Sequence, residues 1–324
     1  MDARLGALFI ACTWLPAAAA AQVIAQNYPT KPIRIIVPYP PGGITDILGR
    51  LVAQKLNAAW NQPVVVENRP GAGTNLGSEL VAKAPPDGYV LLWAGIANTV
   101  GPALYPKLPY DPLKDFAWIT NLAKVPVMIV VHPSVPVHNA RELIALAKAK
   151  PGRLTFGSAG IATSGHLAGE LLRSMAHINI THVPYKGSAY ALTDAISGQI
   201  DLYFGAMASP MPHVKAGRLR AVAVTSLRRA AAAPDLPTLD EQGVKGFETS
   251  TWYGVAAPAG TPDDIVGKLH DAIVRIIKLP EVRERLAAEG ADFVGDTPAE
   301  FTNFVKAELA KWGRVVKQSG AKAD

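Results

Sequence analysis

Val37-Pro38-Tyr39-Pro40-Pro41-Gly42-Gly43-Ile44-Thr45-Asp46 is the stretch on which the reading of this chain turns. Before it, Ile33, Ile35, Ile36 and Val37 form a short β-branched run that predicts a buried strand. After it, Ile47, Leu48, Leu51, Val52 and Leu56 recur at helical spacing, with Thr45 or Asp46 placed to cap a helix. The turn between them is stiffened by Pro40 and Pro41, and Gly42 and Gly43 leave it free of side chains. Strand, glycine turn and helix N-terminus together make a ready anion site.

The same plan recurs downstream. Leu154 to Phe156 leads into Gly157-Ser158-Ala159-Gly160-Ile161-Ala162-Thr163-Ser164-Gly165-His166 and then to Leu167, Leu171, Leu172 and Met175 at helical spacing. A third instance, Val183-Pro184-Tyr185-Lys186-Gly187-Ser188, leads to a helix starting near Ala189. Between these, short apolar runs alternate with helical patterns, which predicts an α/β fold with largely parallel strands. Helices are expected over 46–60, 73–82, 140–149, 165–175, 190–197, 262–277, 281–288 and 298–319. Asn139, Thr261-Pro262 and Thr297-Pro298 are placed to start three of them.

At 324 residues and 49% hydrophobic, the chain exceeds one typical domain, so two lobes are expected. Residues 118–132 and 249–262 read as the segments that cross between them. One lobe would then be discontinuous, 26–126 with 251–324, and the other would be 127–250. Loops at the carboxyl ends of strands from both lobes would face one cleft, giving a clamshell.

Arg4, the apolar run from Leu5 to Trp14, and Ala17 to Ala21 follow the order of regions in a secretory signal peptide, residues 1–21, with cleavage after Ala21 or after Ala25. A membrane anchor is the competing reading, but the apolar run is shorter than the roughly 20 residues a span needs. The only cysteine, Cys12, lies in this segment, which leaves the mature chain without thiols for disulfides or metal. A net charge of +6 favours anionic ligands by steering. Scattered Lys and Arg, without interleaved aromatics, argue against nucleic acid. Seven scattered histidines argue against a metal site, and no cofactor motif is present.

Six separated stretches resemble one family in register: Pro40-Pro41-Gly42-Gly43 with Asp46; Glu67-Asn68-Arg69-Pro70-Gly71-Ala72-Gly73; Pro85-Pro86-Asp87-Gly88-Tyr89; Gly157 to Gly160 with His166; Val183 to Gly187; and Trp252-Tyr253-Gly254 through Thr261-Pro262. Together, from about Tyr28 to Trp312, they are similar to the Bug (TctC) receptors of tripartite tricarboxylate transporters. That resemblance implies a two-lobed, hinge-closing periplasmic binding protein of the type II clamshell class, without catalytic chemistry or cofactor, serving membrane transporter subunits. It implies a small carboxylate between the lobes. Tyr39, Gly42, Gly43, Thr45 and Asp46 would hold it from one side, and Ser158, Ala159, Thr163 and His166 from the other, with Asp201 either at the cleft or simply in a turn. Ile161, Ala162, Ser188 and Tyr190 depart from the family's pattern, and an isoleucine at the cleft favours a ligand with an apolar part.

Each residue also has a plainer reading. Asp46 is a natural N-cap, His166 a first-turn residue facing water, and Trp252 and Tyr253 packing at a hinge. Ser158, His166 and Asp201 have the residue types of a hydrolase triad, but no Gly-x-Ser-x-Gly elbow carries the serine. A clamshell that reports to a membrane sensor would leave the same sequence features.

Overall fold

The computed structural model describes residues 27–42, 44–105, 107–288 and 290–319; the signal-like segment with Cys12, and Gly43, lie outside the described residues. Strand β1 (Ile33–Val37) is almost wholly buried, as its β-branched run requires. It pairs in parallel with β2 (Val64–Asn68) and β3 (Val90–Gly95). Helices α1 (Ile44–Trp60), α2 (Asn75–Ala82) and α3 (Ala97–Leu104) connect or flank these strands.

β4 (Phe116–Val131) is a single 16-residue strand. Its first part pairs antiparallel with β9 (Ser250–Pro258) as far as Pro126 opposite Ser250. From Val127 onward it pairs antiparallel with β7 (Leu202–Ala206), and from Met128 with β8 (Arg220–Val224). β5 (Thr155–Ser158) pairs in parallel with both β7 and β6 (Thr181–Pro184). The strand order is β2-β1-β3-β9-β4-β7-β5-β6, with β8 and the two-residue β10 (Asp292–Phe293) both on β4. The expected largely parallel sheet is therefore corrected to a mixed one, because β4 and β9 run antiparallel to their neighbours. Pro126 sits where β4 changes partners, the place in a ladder where a missing N–H disturbs least.

The second half of the molecule carries α4 (Ala140–Ala149), α5 (Ser164–Ala176), α6 (Ser188–Ser197) and α7 (Met211–Lys215). Asn139 caps α4, accepting from the Glu142 N–H at 2.9 Å, while Glu142 accepts from the His138 N–H. After β9 come α8 (Asp263–Ile277), α9 (Pro280–Ala288) and α10 (Pro298–Ser319). Thr297 and Glu300 form a reciprocal capping box at the start of α10. At α8 the expected cap is absent: Thr261 donates its hydroxyl to the Pro258 carbonyl instead.

α10 packs against β4, α3 and α5, so it touches both halves of the molecule. Its Phe301 and Phe304 meet Trp252 edge-on, and Phe301 also meets Trp118. A side chain at Gly254 would collide with Phe301, whose nearest atom lies 2.3 Å from where a Cβ would stand. That close approach explains the glycine of Trp252-Tyr253-Gly254 and leaves Trp252 wholly buried in the core.

Candidate functional site

A cavity of about 640 Å³ opens where the two halves of the sheet meet. β1 delivers Tyr39 to one wall, and the first turn of α1 adds Ile44 and Thr45. Opposite, the loop after β5 supplies Ala159, Ile161, Ala162 and Thr163, followed by Ser164 at the start of α5. Thr251, Trp252 and Tyr253 of β9 lie between. The first N–H groups of α1 and α5 have no intrahelical acceptor, and each helix dipole places partial positive charge at that end. Two helix starts thus reach one cavity from opposite sides.

Of the residues singled out in the sequence, Tyr39, Thr45, Ala159 and Thr163 line the cavity. Asp46, Ser158 and His166 are buried behind it. The Asp46 carboxylate accepts from the Gly42 N–H at 3.0 Å, from Asn68 Nδ2 at 2.9 Å and from Arg50 Nε at 3.0 Å. Burial opposes its charge, yet Arg50, the Gly42 N–H and Asn68 outweigh burial and hold its pKa below the usual carboxylate range. Asn68 also donates to the Tyr39 carbonyl at 3.1 Å. Asp46 and Asn68 therefore fix the shape of the Tyr39–Gly42 turn. Gly42 stands at φ +87°, where a side chain is strained, and its N–H is turned to Asp46.

The opposite loop is built around two stacked histidines. Ser158 Oγ shares a 2.7 Å hydrogen bond with His182 Nε2 and accepts from the Gly160 N–H at 3.2 Å. The His182 ring stacks on His166 with centroids 4.2 Å apart. His166 Nδ1 accepts from the Ala162 N–H at 3.1 Å, holding Ala162 at φ +62°. Burial, then the charge of Arg173, pushes the pKa of His166 down to about 4. Burial, then His166 and Arg173, pushes that of His182 down to about 3. Both rings are neutral at pH 7, which an accepting Nδ1 requires. His166 does not face water, then; it stands behind the loop and positions it. Thr163 caps α5, facing the His166 N–H, and donates its hydroxyl to Gly160 O at 2.7 Å.

Asp201 lies away from the cavity lining. It accepts from the Thr155 N–H at 2.8 Å and from the Thr155 hydroxyl at 3.0 Å, tying the start of β5 to β7. With His166 Nδ1 engaged by the Ala162 N–H and Asp201 bonded to Thr155, Ser158, His166 and Asp201 do not form a hydrolase triad.

Sequence reasoning missed one whole wall. Ile96, Ala97, Val100, Gly101 and Leu104, one side of α3, line the cavity with Tyr105 and Gly73. α3 contains Gly101 and Pro102, which read as breakers, so periodicity gave no signal there. Gly73 stands at φ +61°, and a Cβ there would meet the Tyr105 hydroxyl at 2.3 Å.

Residues 48–321 match the family described as "Tripartite tricarboxylate transporter family receptor". The chain belongs to that family. It is 37% identical over 305 residues to the protein BugT of Bordetella pertussis, covering 94% of each chain. Among solved structures, the periplasmic binding protein BugD is 34% identical with a TM-score of 0.73, covering 92% of this chain and all of that one. The R. palustris protein Rpa4515, described with adipate, is 35% identical with a TM-score of 0.76, covering 91% of this chain and 99% of that one. The fold is accordingly the two-lobed clamshell of these periplasmic receptors.

Proposed function

We propose that this receptor captures a small carboxylate in the cavity between its lobes and presents it to membrane transporter subunits, performing no chemistry on it. The observation that carries the reading is the approach of two helix N-termini, α1 with Thr45 and α5 with Thr163 and Ser164, to one cavity from opposite walls. A carboxylate placed there takes charge-assisted hydrogen bonds from the first N–H groups of the helices and from the Thr45 and Ser164 hydroxyls, and closure away from water strengthens each of them. Adipate in the R. palustris relative supports the same ligand class.

The lobes we assign are 26–126 with 251–324, and 127–250. The change of partner along β4 between Pro126 and Val127 supports that division. Rotation about β4 and β9 would close the cleft. The periplasm, reached through the signal-like residues 1–21, is the compartment we assign; the family and the leader's composition support it.

Titration calorimetry of the purified chain against mono-, di- and tricarboxylates tests the reading. A saturable heat with at least one carboxylate, accompanied by a rise in melting temperature, is expected. Silence across the panel, with turnover of an ester or amide, would overturn it.

A further inference from the structure

The cavity lining is of two chemical kinds. Thr45, Thr163 and Ser164 stand at helix starts. The side of α3 is apolar, and its Ala97, Val100 and Leu104 follow one another at helical spacing over roughly 10 Å at 1.5 Å per residue, with the Tyr39 and Tyr105 rings beside them in the lining. Ile96 extends this wall, and both Val100 and Leu104 are buried side chains of the core, held in place by packing. Ile161 and Ala162 add apolar surface from the other lobe. Among the described residues that line the cavity, none is Lys, Arg or His.

These surfaces set different terms for the two ends of a ligand. An anionic group is served at the helix starts. A second carboxylate lying along α3 would be removed from water against Leu104 and Ile161, with no cationic side chain to pair it, and an unpaired buried charge is costly. An alkyl or aryl group in the same place gains by leaving water.

Resting on the carboxylate reading above, we infer that the ligand is a monocarboxylate with an apolar body, an aromatic or medium-chain acid, whose carboxylate meets the helix starts while its body lies along α3 against Ile161. Ile161 is then a specificity-determining residue, and the α3 wall measures the ligand's apolar length.

The test is calorimetry on the full mature chain with four probes: straight-chain monocarboxylates from propionate to octanoate, benzoate, α,ω-dicarboxylates of matching length, and hexanamide. Affinity should rise about fourfold for each methylene added until the slot is full. Benzoate should bind more tightly than propionate, and each dicarboxylate at least tenfold more weakly than the monocarboxylate of its length. A dicarboxylate that matches or exceeds its monocarboxylate, or an affinity flat with chain length, overturns the inference and leaves the carboxylate reading standing. Hexanamide binding as well as hexanoate overturns the carboxylate reading itself.

Ile161 lies on a partly exposed loop, so Ile161→Asn should fold. It should lose about tenfold in octanoate affinity while dicarboxylate affinity holds or rises, because the new amide can donate to the second carboxylate. Equal loss for both classes would remove Ile161 from the role given to it.

Discussion

Thr251 Oγ1 lies 2.7 Å from Ser164 Oγ, a hydrogen bond that joins strand β9 to the first turn of α5 at the cavity. Both residues line the cavity, Thr251 from strand β9 and Ser164 from helix α5, so the bond ties one side of the cavity to another. Net, such a bond contributes about 1 kcal/mol. Thr251→Val keeps the shape and removes the hydroxyl. We expect the melting temperature to fall by roughly 2 to 4 °C and the ligand-free chain to scatter as a more open particle. An unchanged radius of gyration would show that this bond does not set the opening.

Asp46 offers a sharper test of the opposite wall. Its carboxylate gathers the Gly42 N–H, Asn68 and Arg50, and hydrogen bonds to a charged group are worth about 1.5 to 3 kcal/mol. Asp46→Asn should lose stability of that order at pH 7, read by urea denaturation, and should bind ligand more weakly because the Tyr39–Gly42 turn slackens. The pH dependence has a definite sign. With the folded pKa depressed, the stabilising contribution is full above the unfolded pKa, near 3.9, and fades as pH falls through the lower folded value. The gap between wild type and variant should therefore narrow below about pH 4.

The stacked histidines predict a second dependence at higher pH. His166 and His182 resist protonation in the folded chain down to about 4 and about 3, while unfolded histidine takes its proton near 6.5. Between about pH 6.5 and 4 the unfolded state binds more protons, so stability falls as pH falls, by up to about 1.4 kcal/mol per pH unit for each ring. Above pH 6.5 both states are neutral and the slope vanishes. Denaturation midpoints measured across pH 4 to 8 should show this slope in the wild type. The double variant His166→Asn, His182→Asn should flatten it, whatever its overall stability.

Two glycines in helices should respond oppositely to alanine. A Cβ at Gly165 would stand 2.1 Å from the Phe204 carbonyl oxygen, so α5 could stay helical only by moving off β7. Gly165→Ala should cost about 1 to 3 kcal/mol and weaken ligand binding, since Ser164 moves with it. Gly267, inside α8, has nothing within 4 Å of a built Cβ. Gly267→Ala should stabilise by about 0.5 to 1 kcal/mol. Thermal unfolding of the pair checks both signs at once.

How far the sequence reached differs between fold and site. Ile33–Val37, Ala140–Ala149 and Pro298–Ser319 were legible to the residue, because a β-branched run, an Asn139 cap and a Thr297–Glu300 capping box are local signals. Gly101 and Pro102 hid α3, whose helical state is sustained by burial of Val100 and Leu104 and by α10 packed against it. Tertiary packing overrode propensity there, and with it went one wall of the site.

By itself, then, the sequence determined the strand, glycine loop and helix plan, the α/β fold class, and two of the loops that line the cavity. Those follow from backbone conformation and hydrophobic period, which neighbouring residues set. Only the tertiary structure decided which side chains reach the cavity. Residue type made Asp46, Ser158 and His166 look like contacts, yet burial and hydrogen bonding turn them inward as supports, while Val100, Leu104 and Thr251 arrive from distant parts of the chain to form the lining. The Pro40-Pro41-Gly42 turn keeps its place at the cavity's edge because Asp46 and Asn68 hold it there, a relation between residues 22 apart in sequence that no local pattern contains.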